Sequence, residues 1–166
     1  ESLCGGCARG CNTYVDHRAN QVYRILPRLN EAVNVCWMCD DGRLTYQRVN
    51  ENRITFPIIQ TKIGESEEVM PETALEKAVE LLLPAQGNAT LGAALSLHAT
   101  CEEAYGFGKL AKDVFGVKRV TLFGFNDWQG DAVLKVADRN PNRQGISMIL
   151  NALGLEIEDG TSLCAR

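Results

Sequence analysis

The chain has 166 residues, of which 45% are hydrophobic, so it can bury the core of one domain or of a small module joined to part of a larger one. Its formal net charge of -4 argues against a nucleic-acid-binding surface, and no segment approaches the roughly 18 apolar residues that a membrane span requires. The chain begins with Glu1 and carries no signal peptide, so we expect a globular segment of a longer protein.

The start of the chain is rich in cysteine. Cys4, Cys7 and Cys11 lie close together, and Cys36 and Cys39 follow after a gap. A short loop that supplies three thiolates, with a fourth returning from a distance, is typical of a [4Fe-4S] iron-sulfur cluster. The pattern therefore predicts a cluster held by the first three cysteines and by either Cys36 or Cys39.

Glycines and arginines accompany these cysteines. Gly5, Gly6 and Gly10 can adopt positive φ, which would let the backbone curl around a cluster and direct its amides at the sulfurs. Arg9 and Arg43 stand close to cysteines, where a fixed guanidinium group would offset the negative charge of a four-thiolate cluster. We expect these two arginines to raise the potential of the cluster.

Three other uses of the cysteines fit less well. Seven cysteines is an odd number, and the Gly-Gly step makes a tight loop, which argues against a disulfide framework. The pairs Cys4 with Cys7 and Cys36 with Cys39 form the frame of a zinc ribbon. Their 28-residue spacer exceeds the usual roughly 15 to 20 residues, however, and Cys11 is left without a role. Neither pair has the flanking strand and helix of a thioredoxin-like motif. A zinc-stapled structural module is the serious rival.

The first part of the chain has β-rich composition. Short apolar and β-branched segments are separated by polar turns, which is typical of a small antiparallel sheet. We place the end of this unit near residue 60, which gives a domain of residues 1–60. The predicted elements are strands at residues 13–15 and 21–26 joined by a turn at 16–20, an extended stretch at 50–60, and a charged loop at 64–68.

From residue 61 the pattern changes to alternating helices and strands. Thr100 and Glu103 form a capping box at the start of one helix, and Gly116 ends it. A strand, a helix and a second strand of this length make a βαβ unit with parallel pairing. Residues 61–166 are therefore predicted to be an α/β domain. The predicted elements are helices from Pro71 to Pro84, from Thr100 to Gly116, at 131–137 and at 146–153, strands at 90–97, 119–125 and 155–157, and a turn at 140–142.

No catalytic triad or pair of carboxylates stands out in the sequence. Cys101 is predicted to be buried at a helix start and Cys164 to be a near-terminal thiol, and neither has a base beside it. His17 and His98 are predicted to be solvated and not metal ligands. We expect apolar edges where the α/β sheet would continue, so the isolated chain should aggregate unless another chain covers them.

Three features of the sequence point together to a known family. They are the spacing C-x2-C-x3-C-x27-C, the phrase Trp37-Met38-Cys39-Asp40-x-Gly42-Arg43, and the stretch Asp138-Arg139-Asn140-Pro141-Asn142-x-x-Gly145. This combination resembles the large iron-sulfur subunit of NADH:quinone oxidoreductase, which is respiratory complex I. That subunit belongs to the molybdopterin oxidoreductase superfamily, and the similarity covers nearly the whole chain.

The resemblance implies a small β-rich [4Fe-4S]-binding domain followed by an incomplete parallel α/β domain of the Rossmann-like type. It implies that Cys4, Cys7, Cys11 and Cys39 hold the cluster, and that Cys36 has no ligand role. The chain would be an electron-transfer module of an enzyme complex, without a catalytic site of its own, and in many relatives this cluster is largely structural. NADH oxidation would belong to a flavin-bearing partner, alongside further iron-sulfur subunits, in a cytoplasmic complex peripheral to the inner membrane.

Two departures limit the resemblance. Catalytic molybdenum and tungsten members place a lysine two residues after the fourth cysteine, but this chain has Asp41 there, which argues against a molybdopterin. The family's ferredoxin-like start and its later α/β layers are missing, which implies an internal fragment or a shortened subunit. The alternative within the superfamily is the N-terminal part of a formate dehydrogenase, or a subunit of a NAD-linked hydrogenase.

Overall fold

The computed structural model describes residues 1–86 and 91–160, and in these residues it contains eight strands and five α-helices. The strands form three small sheets, of which two are antiparallel and one is parallel. This mixture confirms the predicted α/β class in outline. The strands are β1 Ser2–Leu3, β2 Asn12–Arg18, β3 Gln21–Pro27, β4 Ile58–Lys62, β5 Glu65–Glu68, β6 Ala93–Ser96, β7 Arg119–Phe123 and β8 Glu156–Asp159. The helices are α1 Asp40–Arg43, α2 Tyr46–Asn50, α3 Pro71–Leu82, α4 Cys101–Lys109 and α5 Arg143–Ala152.

The N-terminal sheet has the antiparallel order β1-β2-β3. The pairing of β2 with β3 confirms the predicted antiparallel sheet, and β1 adds a strand outside the predicted ones. The connection between β2 and β3 is a two-residue turn in which Ala19 and Asn20 have φ values of 50° and 62°. Such left-handed pairs match the twist of a hairpin. The predicted turn at residues 16–20 is too long, because residues 16–18 still pair with β3.

Residues 40–68 differ most from the prediction. Two short helices, α1 and α2, follow Cys39, and the side chain of Asn50 exchanges hydrogen bonds of 3.0 and 2.6 Å with the backbone of Val22, which fixes α2 against β3. Extended structure begins only at Ile58, not at residue 50. The predicted loop at 64–68 is wrong, since Glu65–Glu68 is strand β5, paired with β4. Its charged composition reflects exposure of the hairpin to solvent.

The C-terminal sheet has the parallel order β6-β7-β8, with α4 and α5 as the crossover helices. This confirms the predicted βαβ pairing. Gly108 allows the two helices to approach closely, because a Cβ there would lie 2.6 Å from Leu153 Cδ1. β6 is shorter than the predicted 90–97, and residue 90 lies outside the described residues. The buried core consists of Leu97, Ala104, Val120, Leu122, Ile146, Leu150 and Leu155.

The helix boundaries largely follow the sequence signals. α3 begins at Pro71 and ends at Leu82, and α4 continues as a π-helical turn to Val114, before Gly116 with its φ of 67°. Cys101 is exposed, which corrects the prediction of a buried thiol, because the core face of α4 begins at Ala104. None of the helices in the described part of the chain is long and apolar enough to cross a bilayer. Cys164 lies outside that part.

The cap of α4 offers a test of the fold. Thr100 Oγ1 accepts a hydrogen bond from Glu103 N at 3.1 Å, and Glu103 Oε2 accepts one from Thr100 N at 2.7 Å. We expect Thr100→Ala to lower the free energy of unfolding by about 1 kcal/mol, because it leaves a helix-terminal amide without its partner. Urea denaturation followed by circular dichroism measures this loss. Thr100→Ser keeps the hydroxyl and should retain most of the stability, whereas an alanine variant as stable as wild type would contradict the expectation.

The segment of residues 126–139, here called the 126–139 loop, is not helical, so the predicted helix at 131–137 is wrong. Asp131 Oδ1 accepts hydrogen bonds from the amides of Val133, Leu134 and Lys135 at 2.8, 2.5 and 3.1 Å. An aspartate that satisfies three consecutive amides competes with the helical hydrogen bonds of the same residues. The loop leads through residues 140–142 into α5, which begins three residues before the predicted start at Ile146.

Candidate metal centre

Three cysteines lie on a loop that its own backbone closes. This cysteine loop, residues 4–11, connects β1 to β2, and Cys4 N donates a hydrogen bond to Cys11 O at 2.8 Å. The side chains of Cys4, Cys7 and Cys11 are all buried. The structure therefore places the first three predicted ligands, all buried, on one closed loop.

Cys39 reaches the same place from a separate segment. It is the N-cap residue of α1, and its Sγ accepts a hydrogen bond from Gly42 N at 3.4 Å. In the cysteine loop, Gly6 N donates to Cys4 Sγ at the same distance of 3.4 Å. Amide hydrogen bonds to sulfur favour the thiolate form and are one of the means by which proteins adjust iron-sulfur centres.

Glycine is required at two positions of the site. Gly10 has a φ of 65°, as expected, but neither Gly5 nor Gly6 has a positive φ, which corrects the prediction for those two. Gly42 is required by space, because a Cβ there would lie 3.0 Å from Cys4 Sγ and 3.5 Å from Cys39 Sγ. Cys4 Sγ and Cys39 Sγ therefore flank Gly42, which brings one sulfur of the cysteine loop close to the fourth predicted ligand.

The thiols influence one another electrostatically. Burial raises the pKa of Cys4 to about 11; the amide of Gly6 opposes this rise, and the charges of Cys11, Cys39 and Cys7 add to it. Burial also raises the pKa of Cys11, with Cys7 and Cys39 adding to the rise and Arg9 lowering it. Four facing thiolates in a partly buried site are stable only with bound cationic charge. The donor set therefore fits a metal centre.

The two candidates for the fourth ligand differ in burial and in their effect on the other thiols. The charge of Cys39 acts on both Cys4 and Cys11, whereas the Cys36 side chain is exposed. Within residues 1–86 and 91–160, no three His, Cys, Asp or Glu side chains converge tightly enough to hold a single metal ion. This holds both for the zinc frame of Cys4, Cys7, Cys36 and Cys39 and for the set Cys4, Cys7, Cys11 and Cys39.

Asn34 joins the segment that carries Cys39 to the cysteine loop. Its side chain is only 2% exposed, and its Oδ1 accepts a hydrogen bond from Asn12 N at 2.9 Å. Its Nδ2 donates to the carbonyls of Arg28 and Trp37 at 3.2 and 3.1 Å. Asn12 directly follows the last cysteine of the loop, and Trp37 precedes the fourth by two residues. One buried amide therefore sets the relative position of the two ligand segments.

The 126–139 loop contacts both ligand segments. Two contacts are made to the cysteine loop and one to the start of α1. Since these residues are far apart in the chain, the α/β part of the fold helps to hold the thiol site. The contacts are Ala8 N to Asp138 O at 2.9 Å, Arg9 Nη2 to Val133 O at 3.1 Å, and Lys135 Nζ to Asp41 Oδ2 at 3.1 Å.

Sequence reasoning missed three residues of the site. They are Asn34, Met38, which is 5% exposed and packs against Cys4 and Cys11, and Lys135. The only signal for Asn34 is a polar residue between two valines, and no local pattern connects Lys135 to a partner 94 residues away. His17 and His98 are exposed, as predicted.

The cysteine region matches a known family model. Residues 6–47 match the 4Fe-4S domain described as NADH-ubiquinone oxidoreductase NDSU1/NuoG-like. This stretch contains Cys7, Cys11 and Cys39, while Cys4 lies two residues before it.

Curated relatives extend the similarity beyond this domain. A subunit of the Streptomyces coelicolor NADH-quinone oxidoreductase is 34% identical over 112 residues, which cover 67% of this chain and 13% of that protein. A subunit of the Thermus thermophilus NADH-quinone oxidoreductase is 34% identical over 111 residues, 67% of this chain and 14% of that protein. The 75 kDa subunit of Reclinomonas americana NADH-ubiquinone oxidoreductase is 42% identical over 60 residues, 36% of this chain and 9% of that protein. The chain thus spans a small part of the length of these relatives.

Proposed function

Because residues 6–47 match the NDSU1/NuoG-like 4Fe-4S domain, we propose that this chain is an iron-sulfur electron-transfer module of an NADH:quinone oxidoreductase. Cys4, Cys7, Cys11 and Cys39 hold one [4Fe-4S] cluster. The observation that carries this proposal is the approach of Cys4 Sγ and Cys39 Sγ to Gly42, beside the closed loop that holds the buried Cys7 and Cys11. When bound, the cluster supplies one-electron transfer.

The protein residues bind the cluster and adjust its surroundings. The amides of Gly6 and Gly42 donate to the sulfurs of Cys4 and Cys39, and burial limits the access of water. Arg9, one of the two predicted tuning residues, acts on Cys11 and lowers its pKa against the effect of burial. The same role for Arg43 stays a prediction. In this proposal the chain tunes an electron carrier and has no catalytic site of its own.

The organisation of the chain is part of the proposal. Residues 1–60 form the cluster-binding domain, and residues 61–166 form part of a Rossmann-like α/β domain of the molybdopterin oxidoreductase type. The sequential order β6-β7-β8, with a helix in each crossover, supports the second assignment. Residue 60 lies within β4, so the boundary between the two domains passes through the β4-β5 hairpin.

The larger protein would work inside a multi-subunit complex. NADH oxidation belongs to a flavin-bearing partner, with further iron-sulfur subunits alongside, and the complex lies on the cytoplasmic side, peripheral to the inner membrane. The relatives' names support a multi-subunit NADH:quinone oxidoreductase and favour it over a formate dehydrogenase or a hydrogenase. The proposal includes no molybdopterin, because catalytic relatives have a lysine two residues after the fourth ligand and this chain has Asp41 there. Asp41 forms an ion pair with Lys135.

Metal and sulfide analysis of the anaerobically purified protein tests the cluster. We expect about four irons and four sulfides per chain, with an electron paramagnetic resonance signal after reduction. Zinc should be substoichiometric. One zinc per chain without iron would contradict the proposal and support the zinc-stapled module.

A further inference from the structure

The 126–139 loop brings a positive charge to the fourth cysteine. Lys135 Nζ lies 3.1 Å from Asp41 Oδ2, and Asp41 follows Cys39 by two residues. The same ammonium lies 4.9 Å from the centre of the Trp128 ring, at a distance typical of a cation–π contact. The Lys135 side chain is 28% exposed, so its charge is held between a carboxylate and an indole.

The loop also fixes the backbone that carries this lysine. Asp131 accepts from the Lys135 amide at 3.1 Å and donates its own amide to Lys135 O at 2.9 Å. Trp128 Nε1 donates to Val136 O at 2.7 Å, and a Cβ on Gly130 would lie 3.0 Å from Lys135 O. The position of the ammonium is therefore set by the fold of the loop.

We propose that the Lys135–Asp41 ion pair is a positioning element that sets the reduction potential of the cluster from its Cys39 side. This inference rests on the proposed function. An electron that enters the cluster from an external reductant adds negative charge, so a nearby cation favours the reduced form and a nearby anion opposes it. Because the pair is nearly neutral, removing one partner exposes the charge of the other.

The two single variants should therefore act in opposite directions. Lys135→Gln leaves Asp41 unpaired and should lower the potential, whereas Asp41→Asn leaves Lys135 unpaired and should raise it. We expect each change to shift the reduction equilibrium by roughly three- to tenfold, where tenfold corresponds to about 59 mV for one electron. Lys135→Arg keeps the charge and should stay close to wild type, as should the double variant.

Redox titration of the cluster-loaded protein, followed by electron paramagnetic resonance, measures these shifts, with iron content determined on each sample. The matched control is the ion pair of Lys109 and Asp113 within α4 and its π-helical extension, where Lys109→Gln and Asp113→Asn should leave the potential unchanged. A purely structural role of the loop would not give shifts of opposite sign in fully loaded variants.

The outcomes separate this inference from the proposed function. Opposite shifts with about four irons retained support it. Shifts in the same direction, or no shift at full iron content, overturn it while the proposed function stands. Loss of iron from both single variants also overturns it, because the pair would then be a structural requirement for cluster binding. Wild-type protein without iron contradicts the proposed function, and this inference with it.

Discussion

Replacing Cys11 by serine is expected to abolish the [4Fe-4S] cluster, whereas replacing Cys36 by serine is expected to leave it intact. Cys11 is buried and faces the other thiols, while Cys36 is exposed. A serine hydroxyl is a poor substitute for a thiolate, because it stays protonated and lacks the softness that iron-sulfur centres need. Iron should fall from about four per chain to below about one, with loss of the paramagnetic signal.

The same loss should follow serine replacement of Cys4, Cys7 or Cys39. Cys36→Ser is the matched control, since it makes the same chemical change three residues before Cys39. Circular dichroism of each variant shows whether the fold survives. A cluster that tolerates loss of Cys39 but not of Cys36 would reverse the assignment of the fourth ligand, and zinc that stays bound without Cys11 would favour the zinc ribbon.

Replacing Asn140 by alanine should cost the fold about 2 to 4 kcal/mol of unfolding free energy. The Asn140 side chain is fully buried, and its Oδ1 accepts from Phe125 N at 2.8 Å. Its Nδ2 donates to Phe125 O at 2.9 Å and to Asp138 Oδ1 at 2.8 Å. Alanine would leave a partly buried amide and carbonyl without partners and would open a small cavity beside Gly124, whose missing Cβ makes room for this side chain.

Urea unfolding monitored by circular dichroism would measure the effect. Asn126→Ala at the start of the 126–139 loop is the control, because that side chain is exposed and its loss should change stability by less than about 0.5 kcal/mol. Equal stability of the two variants would show that the buried hydrogen bonds of Asn140 contribute little.

The candidate ligand cysteines and the parallel sheet could be predicted from the sequence because both depend on local patterns. The spacing of cysteines along the chain indicates which metal centre they could bind. The Thr100–Glu103 capping box predicts the first residue of α4. The choice between Cys36 and Cys39 needed more than the residues themselves. It came from the family resemblance, and the burial and charge of the thiols agree with it.

The secondary-structure predictions failed where a side-chain hydrogen bond or a partner distant in the chain overrides the local conformational preference of the residues. The alternation of helices and strands predicted a helix at 131–137, but the carboxylate of Asp131 accepts hydrogen bonds from the amides that would begin it. Four polar residues at 65–68 predicted a loop, although pairing with β4 makes them a strand. The Lys135–Asp41 pair joins residues 94 apart, and no local pattern encodes such a contact.

The buried amide of Asn34 has a thermodynamic consequence for metal uptake. The chain between Cys11 and Cys39 contains 27 residues, and bringing the ends of such a loop together costs conformational entropy. The three hydrogen bonds of Asn34 close this loop within the folded protein, so that entropy is lost on folding and not on metal binding. In the proposed centre, folding would thus present the fourth sulfur to the other three at a high effective concentration. Assembly of that centre would be coupled to the stability of the fold at this one side chain.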